Sequence, residues 1–208
     1  DQVVQDAIPA ILKNLEQGIH TIIDFGRYNQ LVHYILVANL LTRRIDEQWR
    51  EKTEKHLADR NHPRPPRIVI TIEEAHKFLE PGIADATIFG RIARELRKYN
   101  VTLLVVDQRP SQIEPEVLSQ IGTKFCCLLD DEKDVQAVLA GTSGAGGLRS
   151  VLAALDTRQQ ALVFGHALPM PVVMKTRTYD EQVWKSAGYQ TPEQRRAQAD
   201  ADRSLWEA

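Results

Sequence analysis

Two adjacent glutamates, Glu73 and Glu74, follow an apolar run in the segment RIVITIEEAHKFL. The run is rich in Val and Ile, and this composition predicts a buried β-strand. Two carboxylates at the end of such a strand repel each other, because the low-dielectric strand behind them screens their charges poorly. We therefore expect a cation, either a metal ion or a basic side chain, to bind next to them.

Polar residues end two other apolar runs in the same way. Asp24 ends the run in HTIIDFG, and Asp107, Gln108 and Arg109 end the run in TLLVVDQRP. In an open parallel sheet, ligands bind beyond the carboxyl ends of the strands. The pattern therefore predicts that these polar residues lie, with Glu73 and Glu74, along one edge of a sheet. Strands must end in some polar residue, so chance is the alternative explanation.

Helical patterns separate these predicted strands. The first pattern ends at Gly18, the second runs from Leu31 to Ala58 and another runs from Ala84 to Tyr99. Further strands are predicted in KFCCLLDD and, as a closing pair, in QQALVFGH and PVVMKTR. Continuous Val, Ile and Leu runs that alternate with helices predict an α/β fold, with a mostly parallel sheet and helices on both faces.

Length, composition and net charge indicate which class of protein this chain belongs to and in which compartment it is expected. The chain has 208 residues, of which 43% are hydrophobic, and a formal net charge of −2, so any nucleic-acid contact must come from local basic patches. No apolar run approaches the roughly 18 residues of a membrane span, and no signal peptide opens the chain. Cys126 and Cys127 are neighbours in a predicted strand, where we expect reduced core thiols. These features predict a cytoplasmic protein that makes no membrane contact.

A buried strand that ends in two acids resembles the Walker B segment of P-loop ATPases. In that class the first carboxylate holds Mg²⁺, usually through water, and the second orients the water that attacks the γ-phosphate of ATP. The pattern alone is weak evidence, since many strands end in Asp or Glu. The tetrad EEAH followed by DQRP after the next predicted helix and strand is more specific.

Three blocks of the chain resemble one family. They are IVITIEEAHKFL, RIARELRKYNVTLLVVDQRPSQIEPEVLSQIGTKF and LAALDTRQQALVFGHALPMPVVMKTR, and in order and spacing they are similar to the C-terminal half of the HerA ATPase domain. The resemblance implies a RecA-like ATPase of the HerA/FtsK group, which forms a homo-hexameric ring and translocates double-stranded DNA. It further implies that the protein acts together with a NurA-type nuclease in DNA end resection and recombinational repair.

The resemblance also implies roles for individual residues. Glu73 matches the acid that associates with Mg²⁺, and because Glu is longer than the usual Asp, contact through water is expected. Glu74 matches the catalytic glutamate. Gln108 matches the polar sensor of the γ-phosphate, and Asp24 matches an acid that helps to organise the nucleotide site.

An arginine finger is implied in RIARELRKYN. Arg97 lies where HerA-like sequences carry the finger, but Leu96 replaces the Gly that usually precedes it. Arg94 therefore stays open as the alternative finger. His76 has two possible roles, as a polar residue at a helix start or in coupling hydrolysis to DNA.

The sequence contains no recognisable phosphate-binding loop. No G-x-x-x-x-G-K-[ST] motif is present, and GTSGAGG lacks the lysine of a phosphate-binding loop. We expect the phosphate-binding half upstream of Asp1, so that the parent protein hydrolyses ATP whereas this chain alone does not. Residues 1–177 would then form the C-terminal portion of the RecA-like domain, and 178–208 a polar tail that is helical or partly disordered.

Other classes compete with the HerA interpretation. FtsK-type and conjugative DNA-pumping ATPases share the sheet and the acids. EEAH also resembles the DEAH tetrad of superfamily 2 helicases, whose Ser-Ala-Thr and QRxGRxGR motifs are absent here. In a non-catalytic interaction module, Glu73 and Glu74 would be surface acids that pair with Arg109 or a partner. A nuclease built on Asp24, Glu73 and Glu74 would need further ligands that the sequence does not indicate.

Overall fold

A computed structural model describes residues 2–24, 30–84, 88–89, 96–142 and 144–188. Its α-helices are α1 (Gln2–Glu16), α2 (Leu31–Ala58), α3 (His76–Leu79), α4 (Pro115–Gln120), α5 (Glu132–Leu139), α6 (Ala145–Ala153) and α7 (Glu181–Ser186). Its strands are β1 (Ile68–Glu73), β2 (Val101–Val106), β3 (Thr123–Cys126), β4 (Gln160–Gly165) and β5 (Val172–Lys175). Two short 3₁₀-helices lie at Leu96–Tyr99 and Pro110–Gln112.

The strands β1 and β2 pair in parallel. Their register runs from Ile68 opposite Val101 to Glu73 opposite Val106, so the residues that follow the two strands emerge at one edge. The connection between the strands includes α3 and the 3₁₀-helix at Leu96–Tyr99. The predicted α/β class, with a parallel sheet and helices, is confirmed.

The other three strands form an antiparallel sheet in the order β3-β4-β5. The closing pair predicted from QQALVFGH and PVVMKTR is confirmed as β4 and β5. The loop between Gly165 and Val172 is too short for the crossover that a parallel connection requires, so an antiparallel hairpin forms instead. Within the described residues, parallel pairing is therefore confined to β1 and β2.

The strand predicted in HTIIDFG is not formed by its described residues, His20 to Asp24, which have no regular structure. The side chain of Ile22 is 93% exposed. A β-strand exists only where a neighbour satisfies its backbone hydrogen bonds. Neither described sheet includes this segment, so its apolar composition alone does not make it a strand.

The helix α2 anchors the core beside the parallel strands. Leu41, Ile45, Trp49 and Thr53 are buried at four-residue intervals, which places them on one face of the helix. The indole Nε1–H of Trp49 donates to the carbonyl of Pro66 at 2.8 Å, just before β1. This contact fixes the start of the strand that carries the two glutamates. On one face of the parallel pair, Val69, Leu104 and Val106 are 47 to 56% exposed.

The two cysteines lie in different surroundings, and neither forms a disulfide. Cys126, at the end of β3, is buried in a second core cluster that includes Leu162 and Phe164. The prediction of a core thiol is wrong for Cys127, which is exposed. Neighbouring residues of a strand point to opposite faces, and only one of these two thiols meets the core. Among the helices in the described part of the chain, none has the length and apolar character needed to cross a membrane.

Candidate active site

The edge beyond β1 and β2 carries the side chains that can take part in a reaction. Glu73 is the last residue of β1, and its side chain is exposed. Within the described part of the chain, its carboxylate makes no hydrogen bond or ion pair. An exposed carboxylate with both oxygens available is a suitable ligand for a hydrated divalent cation such as Mg²⁺.

Glu74 leaves the strand in a left-handed backbone conformation. Its φ angle is +51°, a region that costs a non-glycine residue roughly 1–2 kcal/mol. Two hydrogen bonds hold the turn, one from the Ala75 N–H to the Val106 carbonyl at 3.4 Å and one from the His76 N–H to Asp107 Oδ2 at 2.7 Å. Backbone strain of this kind is concentrated at functional sites.

Gln108 contacts Glu74 across the sheet edge. Its side-chain Nε2 lies 3.5 Å from Glu74 Oε1, although the two residues are 34 positions apart in the sequence. The parallel register of β1 and β2 explains the contact, because both residues directly follow the ends of neighbouring strands. The structure thus brings together these two of the residues assigned from the sequence.

Asp107 is a site residue that the resemblance does not assign. Its side chain is only 4% exposed, and its Oδ2 accepts from both the backbone N–H and ring Nδ1 of His76, the latter at 2.8 Å. The other ring nitrogen of His76, Nε2, lies 3.9 Å from Glu74 Oε2. The position of Asp107 at the end of a predicted strand was the available signal, the same one that marks the two glutamates.

Further hydrogen bonds hold the loop after β2. Asp107 Oδ1 accepts from the Arg109 N–H at 2.6 Å, which closes a tight turn around Gln108. The Ser111 N–H donates to the buried Asp134 of α5 at 2.9 Å. Gln108 therefore sits on a loop that is fixed at both ends.

The other residues assigned from the sequence are Asp24, Arg97 and Arg94. Asp24 lies in the irregular segment that follows α1. Arg97 lies in the 3₁₀-helix Leu96–Tyr99, of which the structure describes the backbone at this position. Arg94 and most of the helix predicted over Ala84–Tyr99 lie outside the described residues.

Tyr99 connects that 3₁₀-helix to α2. The Arg50 guanidinium donates to the Tyr99 hydroxyl at 2.7 Å and also pairs with the buried Asp46 at 3.2 Å. Since Tyr99 is itself buried, these contacts hold the backbone of the segment that carries Arg97.

Acidic side chains predominate at this edge of the sheet. Among the described residues, no three His, Cys, Asp or Glu side chains are arranged as a ready metal cage. Glu73 fits the ordinary Mg²⁺ mode, in which one carboxylate and several waters complete the coordination with substrate phosphates. Glu74 is 45% exposed and faces an amide and an imidazole. A carboxylate held in this way can take a proton from a water molecule.

Comparisons with known proteins identify helicases among the relatives. A probable helicase from Methanocaldococcus jannaschii is 38% identical over 118 residues, which is 55% of this chain and 22% of that protein. The DNA double-strand break repair helicase HerA of Pyrococcus furiosus is 29% identical over 74% of this chain and 29% of its own length. The HerA of Sulfolobus acidocaldarius is 27% identical over 90% of this chain and 37% of its own length.

The chain therefore spans 22 to 37% of the length of these relatives. No protein-family model matches it. The solved structures with similar coordinates include the genome packaging NTPase B204 of Sulfolobus turreted icosahedral virus 2 in complex with AMP. That comparison has a TM-score of 0.48 and 13% identity, and covers 80% of this chain and 71% of that one. The relationship to known proteins thus depends on the sequence relatives.

Proposed function

Since the sequence relatives confirm the resemblance to HerA helicases, we propose that this chain is the C-terminal part of a HerA-like ATPase domain. The full-length protein would use ATP to translocate along, and unwind, double-stranded DNA. The single observation that carries this proposal is the arrangement of Glu73 and Glu74 at the end of β1, next to Gln108 at the end of β2. Hydrolysis of the phosphoanhydride bond to the γ-phosphate of ATP uses an acid that holds the metal ion, a residue that positions the water and groups that contact the phosphate oxygens.

Each residue of the edge has a proposed task. Glu73 would hold Mg²⁺ through water molecules, and the ion would supply positive charge beside the phosphate oxygens of ATP. Glu74 orients the attacking water and accepts its proton. Gln108 donates to an oxygen of the γ-phosphate, and its contact with Glu74 links recognition of that phosphate to the position of the base.

Asp24 and the arginines complete the proposed site. Asp24 would help to organise the nucleotide-binding residues. Arg97, or Arg94 in its place, would insert into the site of a neighbouring subunit and stabilise charge on the transferring phosphoryl group. The contact of Arg50 with Tyr99 supports this role, because it fixes the backbone segment that contains Arg97.

The assembly follows from the same resemblance. Residues 1–177 form the C-terminal portion of the RecA-like domain, and residues 178–208 form a tail. Six copies of the full-length protein form a ring around double-stranded DNA and work with a NurA-type nuclease in end resection for recombinational repair. The net charge of −2 requires that DNA phosphates meet local basic groups rather than a generally basic surface.

The experiment measures ATP turnover by the full-length protein that carries this chain. We expect hydrolysis that needs Mg²⁺ and rises when duplex DNA is added, and ATP-dependent displacement of a third strand from a triplex substrate. Turnover that duplex DNA leaves unchanged would contradict a DNA translocase. Absence of any turnover with Mg²⁺ and duplex DNA would instead support the interaction module.

A further inference from the structure

The two oxygens of the Glu74 carboxylate face two different groups. Gln108 Nε2 lies 3.5 Å from Oε1, and His76 Nε2 lies 3.9 Å from Oε2. The carboxylate is therefore bracketed by an amide on one side and an imidazole on the other. Gln108 has a proposed role toward phosphate, whereas no role toward Glu74 has been given to His76.

Asp107 holds the His76 ring firmly. Asp107 Oδ2 accepts the His76 backbone N–H at 2.7 Å and lies 2.8 Å from ring Nδ1. A carboxylate oxygen accepts from both groups, so Nδ1 carries the ring hydrogen that faces Asp107, and Nε2 donates toward Glu74 when the ring carries its second hydrogen there. The Asp107 side chain is 4% exposed and the His76 side chain 19%, and a hydrogen bond so far from solvent is strong. The ring orientation that aims Nε2 at Glu74 is thereby fixed.

We propose that His76 is a positioning residue for hydrolysis, which holds the Glu74 carboxylate in the orientation that receives the water proton. The inference rests on the proposed function, because it concerns the base of that same site. Glu74 needs such a neighbour, since its side chain is 45% exposed and its own backbone is strained. A freely rotating Glu would lose much of its effect as a base.

The distance of 3.9 Å between His76 Nε2 and Glu74 Oε2 exceeds a direct hydrogen bond. Hydrogen bonds of catalytic groups are commonly long before the substrate binds and shorten in the complex with it. A small rotation of the Glu74 side chain brings the oxygen within reach. The ring itself needs no movement, since Asp107 already orients it.

Two substitutions separate positioning of Glu74 from simple support of the turn. Asn in place of His76 keeps a donor near the Nδ1 position, so the bond to Asp107 is preserved while nothing reaches Glu74. Gln in place of His76 puts its amide nitrogen near the Nε2 position, so the contact with Glu74 is preserved while the bond to Asp107 is lost. The two roles of the imidazole are thus tested one at a time.

The measurement is steady-state ATP hydrolysis by the full-length protein with saturating duplex DNA. We expect His76→Asn to lower kcat about tenfold with the KM for ATP within about twofold, and His76→Gln to stay within about threefold of wild type. The opposite order, with His76→Asn active and His76→Gln inactive, would show that His76 only supports the turn through Asp107. Equal activity of both variants and wild type would also overturn the proposal.

Two controls keep the outcomes distinct. Thermal unfolding and binding of a fluorescent ATP analogue show whether each variant is folded and still binds nucleotide. Glu74→Gln is measured in parallel. If Glu74→Gln hydrolyses ATP normally, the proposed function of the site fails. If Glu74→Gln is inactive while His76→Asn matches wild type, the role of Glu74 stands and the positioning role of His76 alone is refuted.

Discussion

The side-chain amide of Gln108 lies 3.5 Å from the carboxylate of Glu74, on the loop after the neighbouring parallel strand. Gln is neutral and can face a carboxylate without repulsion, whereas an acid at the same point would place two like charges together. At about 4 Å and an effective dielectric constant near 20, such a pair repels by about 4 kcal/mol. The contact with Glu74 therefore constrains the identity of residue 108.

The first prediction is that Gln108→Glu lowers ATP hydrolysis by the full-length protein at least tenfold, because the new charge displaces the Glu74 carboxylate or raises its affinity for a proton. The matched control is Gln112→Glu, which makes the same change in the following 3₁₀-helix at an exposed position. We expect the control to remain within about twofold of wild type. Comparable loss in both variants would mean that added charge on the loop, and not contact with Glu74, is responsible.

A second prediction concerns the arginine finger. Arg97→Ala subunits should bind ATP normally and yet fail to support hydrolysis, because the missing group acts on the adjacent subunit. Mixing them with Glu74→Gln subunits should restore partial activity. Some interfaces of a mixed ring then pair an intact Glu74 with an intact Arg97. The measurement is ATP turnover across mixing ratios, with each pure variant as the reference.

The alternative finger gives a different pattern. If Arg94→Ala is inactive and Arg97→Ala retains activity, the replacement of Gly by Leu96 has moved the finger by one helical turn. If both variants keep wild-type turnover, the basic residues of this segment are only solvated side chains, and no finger lies among them.

The third prediction concerns the two thiols. Burial raises the pKa of Cys126 from 9.0 to about 11, an effect that the charge of Lys124 partly offsets and Cys127 slightly increases. Thiolate is the form that reacts with alkylating reagents. Cys126 should therefore react very slowly at pH 8 and faster only as the pH approaches 11, while the exposed Cys127 should react at pH 8.

Variants that leave one thiol at a time test this expectation. Cys126→Ala leaves Cys127, and Cys127→Ala leaves Cys126, so the rate of iodoacetamide labelling of this segment can be followed by peptide mass spectrometry. Rapid labelling of Cys126 at pH 8 in the folded protein would contradict the burial of this thiol in the second core cluster. Labelling of both at equal rates after denaturation provides the control for reagent access.

The sequence predicts the local elements of this chain well and its long-range contacts poorly. The α2 boundaries at Leu31 and Ala58 follow directly from helical periodicity, because periodicity depends on residues within one element. The failure at His20–Asp24 is instructive, since β-propensity describes a segment while a strand needs a partner. Glu73 and Glu74 are recognisable because the apolar run and the acids are contiguous in the sequence.

The interactions around Glu74 could not be read from the sequence in the same way. His76 and Asp107 are 31 residues apart, and their contact depends on the parallel register of β1 and β2. No local sequence pattern predicts that register. The buried position of Asp107 also gives no signal beyond its place at a strand end, so its support of the His76 ring emerges only from the folded arrangement.

The most direct test of the account is a single-turnover measurement on Glu74→Gln in the full-length protein. Gln preserves the shape of the side chain and cannot accept the water proton, so ATP should bind with near-normal affinity while the rate of the chemical step falls at least a hundredfold. Glu80→Gln is the matched control, because it removes an exposed carboxylate just after α3 and should leave the rate unchanged. Near-normal hydrolysis by Glu74→Gln, with ATP and Mg²⁺ bound, would contradict the assignment of Glu74 as the catalytic base.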